Sequence, residues 1–320
     1  MQLLALISDT YRSLKSRGLY WALLYISLGL GGIYASLGCN DKGWSIFFGL
    51  LEFPNPELRA GTDWERSLLL TTLEGVMDYW MMTFAVLLAL FPATTIFPDT
   101  MRSGAIDLLL SKPISRLKLF CGKYLGALLF VSMLALILST ICFVSLLVRL
   151  NTAYWGIFCS VGLTALIFSF IYSVNVLVGV WTRGNVSALL LTLLFWVFLW
   201  VVQKIEFESG LALRSRSTAE MQTPDMKSIS STLMKVHRLS GRLMDFLPRT
   251  RETGELFRRV VAADAPYSFQ EVLQGVRMPS SVKVQLAEPQ RPFWKIVGAG
   301  LIFEAVALLL AYWNFATRDF

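Results

Sequence analysis

Residues 124–148, YLGALLFVSMLALILSTICFVSLLV, decide the class of fold. No charged side chain interrupts this stretch, and Lys123 and Arg149 bound it on either side. A helix needs about 20 predominantly apolar residues to cross the roughly 30 Å hydrocarbon core of a bilayer. The stretch therefore predicts a membrane-spanning helix rather than a half-buried helix of a water-soluble domain.

Further apolar runs lie on both sides of this stretch. Hydrophobic residues make up 55% of the 320 residues, and charged residues only 16%, compared with roughly 25% charged residues in average soluble proteins. The predicted spans are residues 19–37, 79–98, 124–148, 153–181, 186–202 and 293–314. The sequence thus predicts an all-α integral membrane protein with six transmembrane helices.

The charge and the scarce reactive residues exclude several other classes of protein. A formal net charge of +7 could indicate nucleic-acid binding, but the basic residues flank the apolar runs, as in proteins that face anionic lipid headgroups. We expect no nucleic-acid partner. The four cysteines have no metal-ligand spacing, and the only histidine, His237, has no companion spaced for metal binding or catalysis. The sequence predicts no metal site and no catalytic residue.

Residues 1–17 precede the first predicted span and have the pattern of an amphipathic helix. The apolar positions that recur at helical spacing are Leu3, Ile7, Tyr11 and Leu14. We expect this elbow helix to lie along the cytoplasmic membrane surface. Its basic residues Arg12, Lys15 and Arg17 then face lipid headgroups or a partner protein.

The short loops predict the orientation of the chain. Residues 99–123 carry five basic residues, whereas residues 38–78 carry seven acidic and three basic ones. The excess of Lys and Arg in cytoplasmic loops places both termini, residues 99–123 and the turn at 182–185 in the cytoplasm. We expect a multi-pass protein of the cell (inner) membrane.

Three parts follow along the chain. Residues 1–202 form a membrane domain in which 38–78 is an extracytoplasmic loop. Residues 203–292 form an extracytoplasmic helical region, with an apolar helical stripe that ends at Pro248, a helix over 252–262 and a capping-box pattern near residue 268. Residues 293–320 contain the last span and a cytoplasmic tail.

The segment between the second and third predicted spans carries the most specific pattern, SGAIDLLLSKPISRLKLFCGK at residues 103–123. A short amphipathic helix ends before Pro113, because proline disfavours helical geometry in the residue that precedes it. Ser115 is placed to cap a new helix that runs into the third span. We predict a rigid basic coupling segment, residues 99–123, on the cytoplasmic face.

This segment resembles the signature of ABC-2 type permeases, in particular the branch of multicopper-enzyme-maturation and gliding-motility permeases. The matching residues are Gly104, Leu109, Leu110, Ser111, Pro113, Ile114, Ser115, Arg116, Gly122 and Lys123. Two positions depart from the family pattern. The frequent Glu of the family falls near Thr100, next to Asp99, and its Thr is Ala105 here.

The resemblance implies that the elbow and the coupling segment dock onto a separate ATP-binding subunit. The implied coupling residues are Asp99, Arg102, Gly104, Leu110, Ser111, Pro113, Ser115, Arg116 and Lys123. It also implies that two permease subunits, identical or different, form the translocation path between them. The sequence contains no G-x-x-x-x-G-K-[ST] motif for ATP phosphates, so we expect ATP and magnesium on the partner and no cofactor on this chain.

Two polar residues inside predicted spans are further candidates. Glu304 lies near the middle of the last apolar run, and an ionisable group at that depth is by default a functional candidate. The alternative is a structural carboxyl group that is hydrogen-bonded to a neighbouring helix. Asn175 and Arg183 are candidate partners for it.

The leading interpretation is an exporter permease driven by ATP hydrolysis in a partner subunit. The alternatives are an ATP-independent secondary transporter, a membrane-embedded enzyme and a membrane-complex subunit that transports nothing. An intramembrane enzyme is disfavoured because HExxH and GxSxG motifs are absent. Secondary transporters commonly show inverted repeats, and none is visible in this sequence.

Overall fold

A computed structural model of the chain describes residues 2–40, 43–54, 62–101, 115–217, 224–261 and 291–317. Within these ranges, six helices are long and apolar enough to cross a membrane. They are Gly18–Ser36, Asp63–Thr100, Arg116–Leu150, Trp155–Thr182, Asn185–Leu213 and Phe293–Ala316. The predicted all-α integral membrane protein with six spanning helices is confirmed.

The helices are numbered along the chain. The elbow helix is α1, Gln2–Lys15, and the first span is α2, Gly18–Ser36. The second span comprises α3, Asp63–Gly75, a π-helix, Val76–Ala85, α4, Val86–Thr94, and α5, Ile96–Thr100. The third span is α6, Arg116–Leu150, and the fourth is a 3₁₀ turn, Trp155–Phe158, followed by α7, Cys159–Thr182. The remaining helices are α8, Asn185–Ser217, which contains the fifth span, α9, Pro224–Met244, α10, Thr250–Val261, and α11, Phe293–Ala316, the sixth span.

A small antiparallel sheet connects the first and second spans, a feature that the sequence did not predict. Its strands are β1, Gly38–Asn40, β2, Gly43–Ile46, and β3, Leu51–Pro54, in the order β1-β2-β3. Trp44 pairs with Cys39 on one side and with Phe53 on the other. The Trp44 and Phe53 rings stack with centroids 4.4 Å apart. Strands this short give too few alternating positions to be recognised from a sequence pattern.

Two spans have longer helices than their apolar runs predict. The second span begins at Asp63 rather than near residue 79, and α8 continues to Ser217 rather than ending near residue 202. The extensions carry acidic residues with basic partners, such as Glu74 with Arg258 on α10. Ion pairs at the end of the bundle allow a helix to continue beyond its apolar stretch. A hydropathy profile does not detect such an extension.

The bundle has two ends, which are named here for the rest of the text. At the elbow end, α5 ends, α6 begins and α1 packs against α6. At the opposite end, α6 ends, α10 packs against the start of the fourth span, and the Arg149 guanidinium donates to the Ala35 carbonyl oxygen at 2.8 Å. The fourth span occupies the centre of the bundle. In its most apolar stretch of 18 residues 61% of the residues are buried, compared with 22% in the corresponding stretch of the fifth span.

The elbow helix is held by a close approach between α1 and the third span. Leu6, Thr10 and Leu14 are buried at spacings of four residues. A Cβ atom at Gly126 would lie 2.5 Å from the Thr10 Cβ and 3.2 Å from the Ile7 carbonyl oxygen. Because Gly126 has no side chain, α1 can pack closely against α6 with Thr10 at the centre of its buried face. The predicted stripe of Leu3, Ile7, Tyr11 and Leu14 would instead place Ile7 and Tyr11 at that centre. Ile7 and Tyr11 are only half-buried.

We expect Gly126→Val to destabilise the protein by about 1–3 kcal/mol, because the new methyl groups overlap the elbow helix. The matched control is Gly162→Val in the fourth span, where an added Cβ meets nothing within 4 Å. Both changes carry the same helix-propensity difference. Thermal unfolding in detergent should show a lower midpoint for the first variant only. Equal midpoints would contradict the close packing of α1 on α6.

Candidate functional site

Two ion pairs at the elbow end attach the elbow to the spans that flank the coupling segment. Lys123 Nζ lies 3.1 Å from Asp9 Oδ2, and Arg17 Nη2 lies 3.4 Å from Asp99 Oδ2. The first pair joins α1 to the third span, and the second joins the residue before α2 to the end of the second span. Both contacts connect a predicted coupling residue to the elbow.

These ion pairs show which elements are neighbours but contribute little to stability. Arg17 and Asp99 are each more than a third exposed, and Asp9 is largely exposed. Exposed pairs of this kind contribute about 0–1 kcal/mol. The close packing of α1 against Gly126 holds the elbow in place, and the ion pairs are compatible with that register.

The start of the third span is fixed by a cap and by a contact to the sixth span. Ser115 is the N-cap of α6, and its Oγ accepts a hydrogen bond from the Lys118 amide at 3.3 Å, as predicted from the sequence. Arg116 Nη1 donates to the Ala316 carbonyl oxygen at 2.6 Å. A cation at the end of α11 also compensates the partial negative charge of the helix C-terminus.

The other predicted residues of this region divide into two groups. Arg12 and Lys15 on α1 are exposed and form no ion pair within the described ranges. Five of the predicted coupling residues lie outside those ranges: Arg102, Gly104, Leu110, Ser111 and Pro113. In the described part of the elbow end, the exposed side chains of Arg12 and Lys15 thus lie on the same helix as Asp9, which pairs with Lys123.

Glu304 binds two neighbouring spans from the middle of the sixth. The Tyr124 hydroxyl donates to its Oε1 at 2.7 Å, and the Ser169 hydroxyl donates to its Oε2 at 2.9 Å. The Tyr124 hydroxyl oxygen also lies 3.2 Å from the Ser169 carbonyl oxygen, an alternative acceptor for its single proton, and its ring stacks on that of Tyr172. A carboxylate in hydrocarbon needs such donors, because an unpaired ionised group there is costly.

Asn175 has a different neighbourhood from the one that the sequence suggested. Its Nδ2 donates to Thr94 Oγ1 at 2.9 Å and to Thr192 Oγ1 at 3.2 Å, and the side chain is almost fully buried. It therefore links the second, fourth and fifth spans. The suggestion that Asn175 or Arg183 pairs with Glu304 is replaced by the contacts of Glu304 with Tyr124 and Ser169.

The comparison with known protein families decides the class of this protein. The family model described as ABC-2 family transporter protein matches residues 5–320. The chain belongs to the ABC-2 transporter family. No curated protein matches it.

Membership in the ABC-2 family has direct consequences for the arrangement described above. The chain is a multi-pass membrane protein and the permease component of an ABC transporter, a component without an ATPase of its own. The family implies pairing with an ATP-binding subunit. The match covers nearly all of the elbow, all six spans and the region between the fifth and sixth spans.

Sequence reasoning missed the polar partners of this permease. Tyr124 and Ser169 lie in apolar runs, where a single hydroxyl group is common and gives no periodic signal. It also missed the π-helix Val76–Ala85, in which Thr83 Oγ1 donates to the Asp78 carbonyl oxygen at 3.1 Å. Such π-helical segments are rare and often mark functional sites.

A double-mutant cycle tests the contact between Tyr124 and Glu304. We expect Tyr124→Phe and Glu304→Leu to be non-additive, with a coupling of about 1 kcal/mol, because each change removes the same hydrogen bond. The control cycle pairs Tyr124→Phe with Asn175→Ala, because Asn175 donates to Thr94 and Thr192 instead. Unfolding free energies in detergent provide the measurement. Additive effects in the first cycle would show that the two side chains do not interact.

Proposed function

We propose that the chain is the permease subunit of an ABC exporter driven by ATP hydrolysis in a separate nucleotide-binding subunit. ATP and magnesium bind to that partner. Two permease subunits, each carrying an elbow and a coupling segment, form the translocation path. Nucleotide binding reorients the two permeases relative to each other and opens the path to one side of the membrane or the other.

The observation that supports this proposal is the set of contacts at the elbow end. Asp9–Lys123, Arg17–Asp99 and Arg116 with the Ala316 carbonyl connect the elbow, the second span, the third span and the sixth span. A displacement of the coupling segment is therefore passed to four elements together. The third span is an uninterrupted helix of 35 residues, about 50 Å long at 1.5 Å per residue, and carries that displacement across the bilayer.

The coupling role of individual residues is part of this proposal. We assign a coupling role to the residues that the resemblance implies. Those that the structure describes are Asp99, Ser115, Arg116 and Lys123. Those outside the described ranges are Arg102, Gly104, Leu110, Ser111 and Pro113. In the described group, three side chains bind another element of the same chain. The exposed Arg12 and Lys15 are the elbow residues that meet the partner.

The exposed apolar faces of the outer helices support pairing with a second permease. In the most apolar 18-residue stretch of the fifth span, only 22% of the residues are buried, and in those of the first and sixth spans 28% are buried. Lipid covers part of this surface, and the second subunit covers the rest. Following the positive-inside rule, we place the elbow end and both termini in the cytoplasm of a cell whose inner membrane holds the complex.

The test is to purify the tagged chain in mild detergent, identify the proteins that accompany it and measure ATPase activity. We expect a subunit with a Walker A motif to co-purify. Arg12→Glu should reduce the recovered ATPase activity several-fold. In the proposed complex, the elbow cations bind an acidic surface of the partner, and a negative charge at position 12 would be repelled by it.

The matched control is Lys235→Glu, which reverses one exposed cation on α9 at the opposite end. It should leave the recovered ATPase activity unchanged. If an intact, folded chain purifies without any ATP-binding subunit, the ATP-driven proposal is wrong, and Glu304 becomes the centre of an ATP-independent mechanism. Equal loss in both variants would contradict docking at the elbow end.

A further inference from the structure

A polar cleft lies at the opposite end, between the extension of the fifth span and α9. Its volume is about 430 Å³, within the range of small-ligand pockets. Leu213 and Met234 form an apolar part of its wall, and arginine side chains form much of the rest. This arginine cleft is defined by Arg238, Arg242, Arg249 and Arg291.

The floor of the arginine cleft is a fixed ion-pair network. Arg249, which is 3% exposed, lies 2.7 Å from Glu252, 3.1 Å from Asp245 and 3.4 Å from Glu206. Arg291 completes the network at 2.7 Å from Glu206 and 3.0 Å from Glu252. These contacts join α8, the residue that follows α9, the start of α10 and Arg291, two residues before α11. The floor is therefore rigid and its charges are paired.

The rim of the cleft carries unpaired positive charge. Arg238 and Arg242 are exposed, lie one helical turn apart on α9 and form no ion pair within the described ranges. Like charges four residues apart on a helix repel each other. Among the residues that the structure describes, four arginines of the cleft and its network face three carboxylates. The cleft thus has an excess positive charge at its accessible edge, which an anion would neutralise.

His237 strengthens the attachment of this rim to the fifth-span extension. Its Nδ1 lies 3.2 Å from the Glu206 carbonyl oxygen and 3.1 Å from Ser209 Oγ. Gly210 leaves room for the imidazole ring, because a Cβ there would lie 3.2 Å from His237 Cε1. Arg238 and Arg242 therefore project from a helix that is anchored on both sides of them, at His237 and at the Arg249 network.

We propose that the arginine cleft binds a phosphate group. Guanidinium groups present planar donor pairs that match phosphate oxygens and are preferred wherever phosphate is recognised. The apolar wall at Leu213 and Met234 suits an organic phosphate better than a bare ion. The cleft adjoins the membrane edge, since Arg291 lies two residues before the sixth span, so the phosphate belongs to a lipid headgroup or to a solute. This assignment does not depend on ATP-driven transport.

The experiment uses the full chain, purified in a neutral maltoside detergent, and two probes. Equilibrium dialysis with radiolabelled inorganic phosphate measures binding of the free anion. Native mass spectrometry counts retained phosphatidylglycerol molecules. The double variant Arg238→Gln/Arg242→Gln should bind whichever probe is recognised about tenfold or more weakly, because it loses the charge-assisted hydrogen bonds.

Two controls keep the result interpretable. Lys235→Gln removes one exposed cation from the same helix outside the cleft and should leave binding unchanged. The thermal midpoint of the double variant should match that of the unmodified chain, because neither arginine has an ion-pair partner within the described ranges.

Each outcome decides the proposal. Arginine-dependent binding of inorganic phosphate identifies a site for phosphate-bearing solutes, and arginine-dependent retention of phosphatidylglycerol alone identifies a lipid-headgroup site. Failure of both probes to bind, or equal weakening by Lys235→Gln and by the double variant, overturns the proposal.

Discussion

The cost of an unsatisfied polar group in hydrocarbon governs this structure. Backbone groups in a bilayer must be paired within the protein, which leaves helices as the spanning elements. The same constraint acts on side chains. Glu304, Asn175 and the Ser139–Ser160 pair, whose hydroxyl oxygens lie 2.7 Å apart, each find a partner on another span. Polar residues that would be expensive alone thereby become the contacts that specify which helices are neighbours.

The third span brings these contacts into one element. At its start, Ser115 caps the helix, and Arg116 and Lys123 bind the sixth span and the elbow. Directly after Lys123, Tyr124 reaches Glu304 in the membrane. The contacts with the sixth span and the elbow and the contact with the half-buried Glu304 are thus separated by short stretches of one helix. In the proposed function, this helix is the route by which an input at the elbow end reaches the interior of the bundle.

The sequence predicted the parts of the fold that follow from local composition. Six apolar runs predicted six spans, and Ser115 predicted the start of the third helix, because hydropathy and capping are properties of neighbouring residues. It did not predict where the second span begins or where the helix of the fifth span ends, since Glu74 and Glu206 are compensated by Arg258 and Arg249 from distant parts of the chain. The hydroxyl partners of Glu304 were missed for the same reason. Tertiary pairing leaves no periodic trace in a single sequence.

The account depends most on the elbow end being the side that binds the ATP-hydrolysing partner. Site-specific photo-cross-linking in cells tests this directly, with a photoreactive amino acid in place of the exposed residues Arg12, Lys118 or Lys235. The account predicts adducts with a Walker A-bearing subunit from positions 12 and 118, and none from position 235 at the opposite end. Adducts with that subunit from position 235 alone, or none from either elbow-end position, would contradict it.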